Sequence, residues 1–291
     1  MRHAIPALFV VMMVTGASAQ PPATTPRPEP TTEAERATES AGLARKVAED
    51  YSVVKGGAVL KLGPKSLLQW SNPVGGSIHG SVFVWTDKGR PEAVASVYKF
   101  YHPFHHLGVE FHSLALGPLT AKGAGGPAWE PAGAGVEFRP IPGAPAPAES
   151  PAQRLRQMRA VAKEFTAVET TRKDITRGVR LLTQPVYRDE STDPDVLDGA
   201  LFAFVEGTDP DIFLAVEARR AATGKGFEWQ YAVAPMNQIE LRVSHRGREV
   251  WSKPRLPWEV VFDRRQPYTL ILFKPGEGLN PAGPPDLEPG R

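Results

Sequence analysis

Two stretches constrain the fold more than anything else in the chain: HGSVFVWTDKGRPEAVASVYK, from His79, and DGALFAFVEGTDPDIFLAVEA, from Asp198. Each is an apolar, β-branched and aromatic run, a short acidic turn, and a second such run, which is the pattern of an antiparallel hairpin. At a constant offset of 119, Gly80 aligns with Gly199, Phe83 with Phe202, Trp85 with Phe204, Asp87 with Glu206, Pro91 with Pro210 and Glu92 with Asp211. In the first strand Phe83 and Trp85 point one way and Val82 and Val84 the other. Neighbouring strand residues face opposite sides of a sheet, so a strand apolar in both parities must be covered on both faces.

Helix-start signals precede both hairpins. Thr32-Glu33-Ala34-Glu35 reads as a capping box, and Ser150-Pro151-Ala152-Gln153 as a cap with proline in the first helical position. The following residues repeat apolar side chains at three- and four-residue spacing: Ala37, Ala41, Ala44, Val47, Tyr51 and Val54 in the first, and Leu155, Met158, Ala162, Phe165 and Val168 in the second. The fold expected from this is α+β, a tandem duplicated unit in which one helix is followed by an antiparallel β-meander. The units are placed at residues 32–142 and 150–274, joined by a linker at 143–149.

Before the first unit, residues 1–19 read as a secretory signal peptide, with a basic start at Arg2, an apolar core and the small triplet Ala17-Ser18-Ala19. The apolar run is well short of the ~20 residues that span a bilayer. Cleavage after Ala19 leaves 291 − 19 = 272 residues and a secreted or periplasmic product without a membrane span. Residues 20–31 and 275–291, rich in Pro, Gly and Thr, read as disordered. The chain has no cysteine, which excludes disulfides, thiolate nucleophiles and Cys-based zinc sites. With 34 basic and 32 acidic residues and no dense basic block, nucleic acid is not an expected partner; the expected partner is an extracytoplasmic macromolecule or ligand.

The run GSVFVWTDKGRPEAVASVY with EFHSLA, then GVEFRPIPGAPAPAESPAQRLRQMRAVAKEF, then DGALFAFVEGTDPD, resembles a group of uncharacterised secreted proteins of planctomycete-type bacteria. That resemblance covers most of the chain after the leader and implies no activity, since none is assigned to the group.

Chemistry-bearing residues are sparse. Of seven histidines, His102, His105, His106 and His112 fall within eleven residues, and His79 stands at the mouth of the HGSVF strand. These five are the candidate metal ligands, although the spacing matches no established zinc pattern and adjacent His105 and His106 diverge on an extended chain. His102, His105 and His106 are accordingly expected on an exposed connection without a metal, and no cofactor is expected. Ser77 in GGSIHG lacks the closing glycine of a nucleophile elbow. Two acidic loops, YRDESTDPDVLDG and EGTDPD, gather Asp189, Glu190, Asp193, Asp195, Asp198, Glu206, Asp209 and Asp211, residue types suited to calcium or to carboxylate catalysis but more common in solvated turns. Trp85, Trp129, Trp229 and Trp251 are either core residues or sugar-stacking platforms. The functional expectation is a secreted, non-enzymatic binding or structural module. The alternative is an extracytoplasmic hydrolase or metal-binding protein built on the histidines and acidic loops.

Overall fold

The structure, a computed structural model, describes residues 30–73, 76–103, 105–123, 128–189, 191–273 and 281–282. The expected leader and most of both terminal stretches read as disordered lie outside these residues.

In chain order the elements are α1 (Glu33–Asp50), β1 (Ser52–Lys55), β2 (Ala58–Val59), β3 (Lys61–Leu62), β4 (Leu68–Ser71), β5 (Ser77–Asp87), β6 (Arg90–His102), β7 (His106–Ser113), β8 (Thr120–Lys122) and β9 (Arg139–Pro140). They continue with α2 (Pro151–Ala162), β10 (Phe165–Thr170), β11 (Thr176–Leu181), β12 (Tyr187–Asp189), β13 (Val196–Glu206), β14 (Asp209–Arg220), β15 (Phe227–Pro235), β16 (Glu240–His245), β17 (Arg248–Lys253), α3 (Trp258–Val261), β18 (Tyr268–Phe273) and β19 (Pro281–Ala282).

The expected α+β tandem of helix-plus-meander units is not what the chain builds. Strands make up 49% and helices 14%, in three sheets with three helices among the described residues. One sheet runs β19-β18-β7-β6-β5-β3 with β4 also on β5; a second runs β17-β16-β10-β11-β13-β14-β15-β9 with β12 also on β13; a small third runs β2-β1-β8. The first sheet therefore takes β18 from the far end of the chain, and the second takes β9 from ahead of α2. Strand patterns announce strands but not their distant partners, which is why a run of consecutive local meanders was the wrong assembly.

Burial on both faces explains the layering. Val82, Val84 and Val94 meet Leu201, Ala203, Val205 and Phe213 in a core between the two large sheets. The opposite parity, Phe83 and Trp85, packs with Phe111 and Trp129 beneath Ala44, Val47 and Ala48 of α1. Phe202, Phe204 and Leu214 likewise pack beneath Met158, Val161 and Ala162 of α2. The order is α1, sheet, sheet, α2. Each fully buried large side chain contributes about 1.5–3 kcal/mol, and three such cores supply the stability that disulfides would otherwise give.

Both caps form. Glu35 N donates to Thr32 Oγ1 at 3.2 Å while Thr32 N donates to the Glu35 carboxylate at 3.0 Å. Gln153 N donates to Ser150 Oγ at 3.3 Å. The helix α2 ends sooner than its apolar spacing suggests, so Phe165 and Val168 belong to β10. Arg154 is buried on α2 because its Nε donates to Asp198 at 2.8 Å.

Candidate functional site

The five sequence-nominated histidines do not converge. His102 and His105 are exposed on either side of the β6–β7 turn. His106 is partly buried, its ring 4.7 Å from that of Phe100, and burial lowers its pKa to about 4. His112 is fully buried, hydrogen-bonded through Nδ1 to Ser113 O at 2.8 Å, and pushed down to about 4 by the same cause. Among the described residues no three His, Asp or Glu side chains form a metal-ligand set.

His79 has a different role. Its Nε2 lies 2.8 Å from Glu33 Oε2, and Ser77, two residues back on the same face of β5, donates to Glu33 Oε1 at 3.0 Å. A hydrolytic triad places histidine between nucleophile and acid. Here the carboxylate stands between serine and histidine, and the arrangement clamps the start of α1 onto β5.

Acidic-loop residues join two carboxylate clusters at opposite ends of the inter-sheet core, Asp189 in one and Glu206, Asp209 and Asp211 in the other, while Asp195 pairs with Arg220 and Asp198 with Arg154 and Arg188, and Glu190 lies outside the described residues. Near the tip of the β5–β6 hairpin, Arg90 binds Glu217 at 3.1 Å and Glu92 at 3.0 Å, with Lys55 on Glu92 at 2.8 Å and Arg219 on Glu217 at 2.5 Å. Asp189 lies beside them, raised to about 7 chiefly by burial and secondarily by the Glu217 charge. Cations match anions at this end.

At the other end they do not. Glu110 of β7 accepts from Tyr268 Oη at 2.8 Å, and burial drives its pKa to about 8. Asp209 and Asp211 of β14 are raised well above the ordinary carboxylate range, first by burial and then by neighbouring carboxylates. Arg177 bridges Glu169 and Glu206, Asn72 Nδ2 donates to Asp209 at 3.3 Å, and Asn237 Nδ2 donates to Asp211 Oδ1 at 2.8 Å. Glu169 Oε2 and Asp211 Oδ2 are buried without a hydrogen-bond partner among the described residues. The sequence flagged Glu206, Asp209 and Asp211 but not Glu110 or Glu169, which lie on strands far away in the chain.

A third feature has the shape of a ligand site. The second sheet curls around α2 until its edges meet, Arg139 Nη1 of β9 donating to Val250 O of β17 at 3.4 Å. At this seam lies a cavity of about 280 Å³ lined by residues 134–137, Arg139, Tyr231, Val233, Val250 and Trp251. Residues 134–136 are pinned as its wall: Gly135 N donates to Ala115 O at 2.8 Å, and a Cβ at Gly135 would overlap Ser113 O. Of the four tryptophans weighed from sequence, Trp85, Trp129 and Trp229 are core residues, whereas Trp251 remains partly exposed and lines this cavity.

Comparison with known protein families, curated proteins and solved structures finds no match.

Proposed function

We propose that the protein is an extracytoplasmic binding module whose seam cavity takes a compact, hydroxylated ring the size of a monosaccharide. The export half of this reading rests on the signal-peptide pattern of residues 1–19.

The cavity carries the binding half. Its volume, about 280 Å³, falls just below the range of drug-sized ligand sites, about 300 to 1,000 Å³, which combine apolar walls with a few directed polar groups, and so suits a smaller ligand. Val136, Val233 and Val250 give the walls, Trp251 and Tyr231 the aromatic surface, and Glu137 and Arg139, paired at 2.8 Å, a donor and acceptor at the rim. Aromatic faces suit the C–H surface of a sugar ring, and a guanidinium–carboxylate pair suits its hydroxyls.

Calorimetric titration with a panel of neutral mono- and disaccharides, read alongside tryptophan fluorescence, tests the reading. Binding by at least one sugar is expected, weakened about tenfold (about 1.4 kcal/mol) by Trp251→Ala and abolished by the cavity-filling Val233→Trp. Binding indifferent to both substitutions, or no binding across the panel, overturns it.

A further inference from the structure

Glu110, Glu169, Glu206, Asp209 and Asp211 bring five carboxylates from both large sheets to one end of the inter-sheet core, against the two cations Arg177 and Lys253. We propose that Glu110, Asp209 and Asp211 form a proton-held clasp between the sheets, closed while they carry protons and released as they ionise.

The geometry gives the clasp its two jaws. Glu110 projects from β7 of one sheet and faces Tyr268 of β18, Tyr98 of β6 and Lys253 of β17. Asp209 and Asp211 project from the start of β14 in the other sheet and face Glu206 of β13, Glu169 of β10, Arg177 of β11, Asn72 and Asn237. Lys253 also faces His112, the neighbour of Tyr268 across β7 and β18. Glu110 and Asp209 are only half-buried as whole residues, but their carboxyl groups are buried.

Protons are the charge carriers that fit. Among the described residues these carboxylates are not arranged as a metal-ligand set. The partnerless oxygens of Glu169 and Asp211 would be costly as buried acceptors, whereas a protonated carboxyl becomes a donor able to bond its neighbour. Lys253 is itself depressed to about 8 by burial, so it loses its charge over the same range in which Glu110, also near 8, gains one, and the two do not form a lasting ion pair across the sheets. Among the described residues this end is otherwise closed by Ser71 N donating to Thr208 Oγ1 and Thr208 Oγ1 to Ser71 O, both at 2.9 Å, and by Asn72 Nδ2 donating to Asp209 at 3.3 Å and to Glu206 at 3.5 Å. The opposite end is joined by Arg90 and Glu217, opposite charges that need no proton. Loss of protons therefore parts the sheets at one end, about a hinge at the other.

Hydrogen-exchange mass spectrometry of the full chain at pH 6 and pH 9, corrected for base catalysis of intrinsic exchange, tests this. Protection in 106–113 and 208–212 should fall about tenfold or more between the two, while 90–95 changes less. In Glu110→Gln/Asp211→Asn the selective fall should disappear. Equal loss throughout the chain, no loss, or a loss unchanged in the double variant overturns the proposal. Carboxyl ¹³C titration of the unsubstituted protein decides independently of whether the variant folds. A Glu110 midpoint well above the ordinary 4.5 supports the clasp, and a midpoint near 4.5 overturns it.

Discussion

Arg90 and Glu217 face each other across the two large sheets, Nε to Oε1 at 3.1 Å, each side chain only 5% exposed. A buried ion pair adds little over a well-packed apolar pair, but removing one partner strands the other. Arg90→Ala should cost about 3–5 kcal/mol in urea denaturation, since it takes one of two cations from each of the buried Glu217 and Glu92 and one of the two guanidinium groups over Phe138, that of Arg90 sitting at 5.4 Å. Arg90→Met with Glu217→Met should recover part of that loss. A cost under about 1 kcal/mol for the single change would show that Lys55 and Arg219 suffice for the two carboxylates.

Gly80→Ala should destabilise by about 1–3 kcal/mol, as overpacking does. A Cβ there would overlap the Trp70 indole, which is fixed by its Nε1 donating to Ser96 Oγ at 3.0 Å. Near-ultraviolet circular dichroism should report the displaced tryptophan, and an unchanged spectrum with unchanged stability would refute the packing.

The histidines should respond unequally. His102→Ala and His105→Ala lie on the surface and should each change stability by less than about 0.5 kcal/mol. His106→Ala should cost about 1 kcal/mol, because its ring packs on Phe100. Calorimetric titration with zinc should show no stoichiometric sub-micromolar site; one lost on triple substitution would contradict the observed dispersal.

Stability should decline from pH 6.5 to 8. Glu110 and Asp189, raised from 4.5 and 3.8 to about 8 and 7, hold protons in the native state that the unfolded chain has released, so folding takes up protons there and weakens as pH rises. His106 and His112, lowered from 6.5 to about 4, act oppositely, but only between those limits. The two effects oppose each other between about 4.5 and 6.5, giving a shallow dependence there. Urea midpoints measured across the range would expose an error of sign at once.

What the sequence disclosed was local. The apolar parities of β5 and β13, the Thr32 and Ser150 caps and the turn after Asp87 are all set by neighbours within a few residues. In the two hairpins Phe83 lies opposite Ala95 and Phe202 opposite Leu214, with Asp87 opposite Arg90 and Glu206 opposite Asp209. Non-local pairings were hidden. Nothing in Tyr268–Phe273 names Leu107–His112 as its neighbour. The seam cavity and the carboxylate cluster were hidden for the same reason, since Trp251 comes to line one cavity with Tyr231 only once the second sheet has curled on itself, and Glu110 comes near Asp211 only once both large sheets have assembled.

The placement of β18 also governs the order in which the protein can be finished. From Leu107 to His112 the outer edge of β7 is covered by β18, the last strand before residue 274. Until synthesis has delivered residues 268–273, Val109 and Phe111 sit on an unsealed strand edge, the kind that recruits other chains. A chain truncated anywhere before Tyr268 inherits that edge permanently, so loss of the C-terminal portion should show itself as self-association and not merely as a smaller protein.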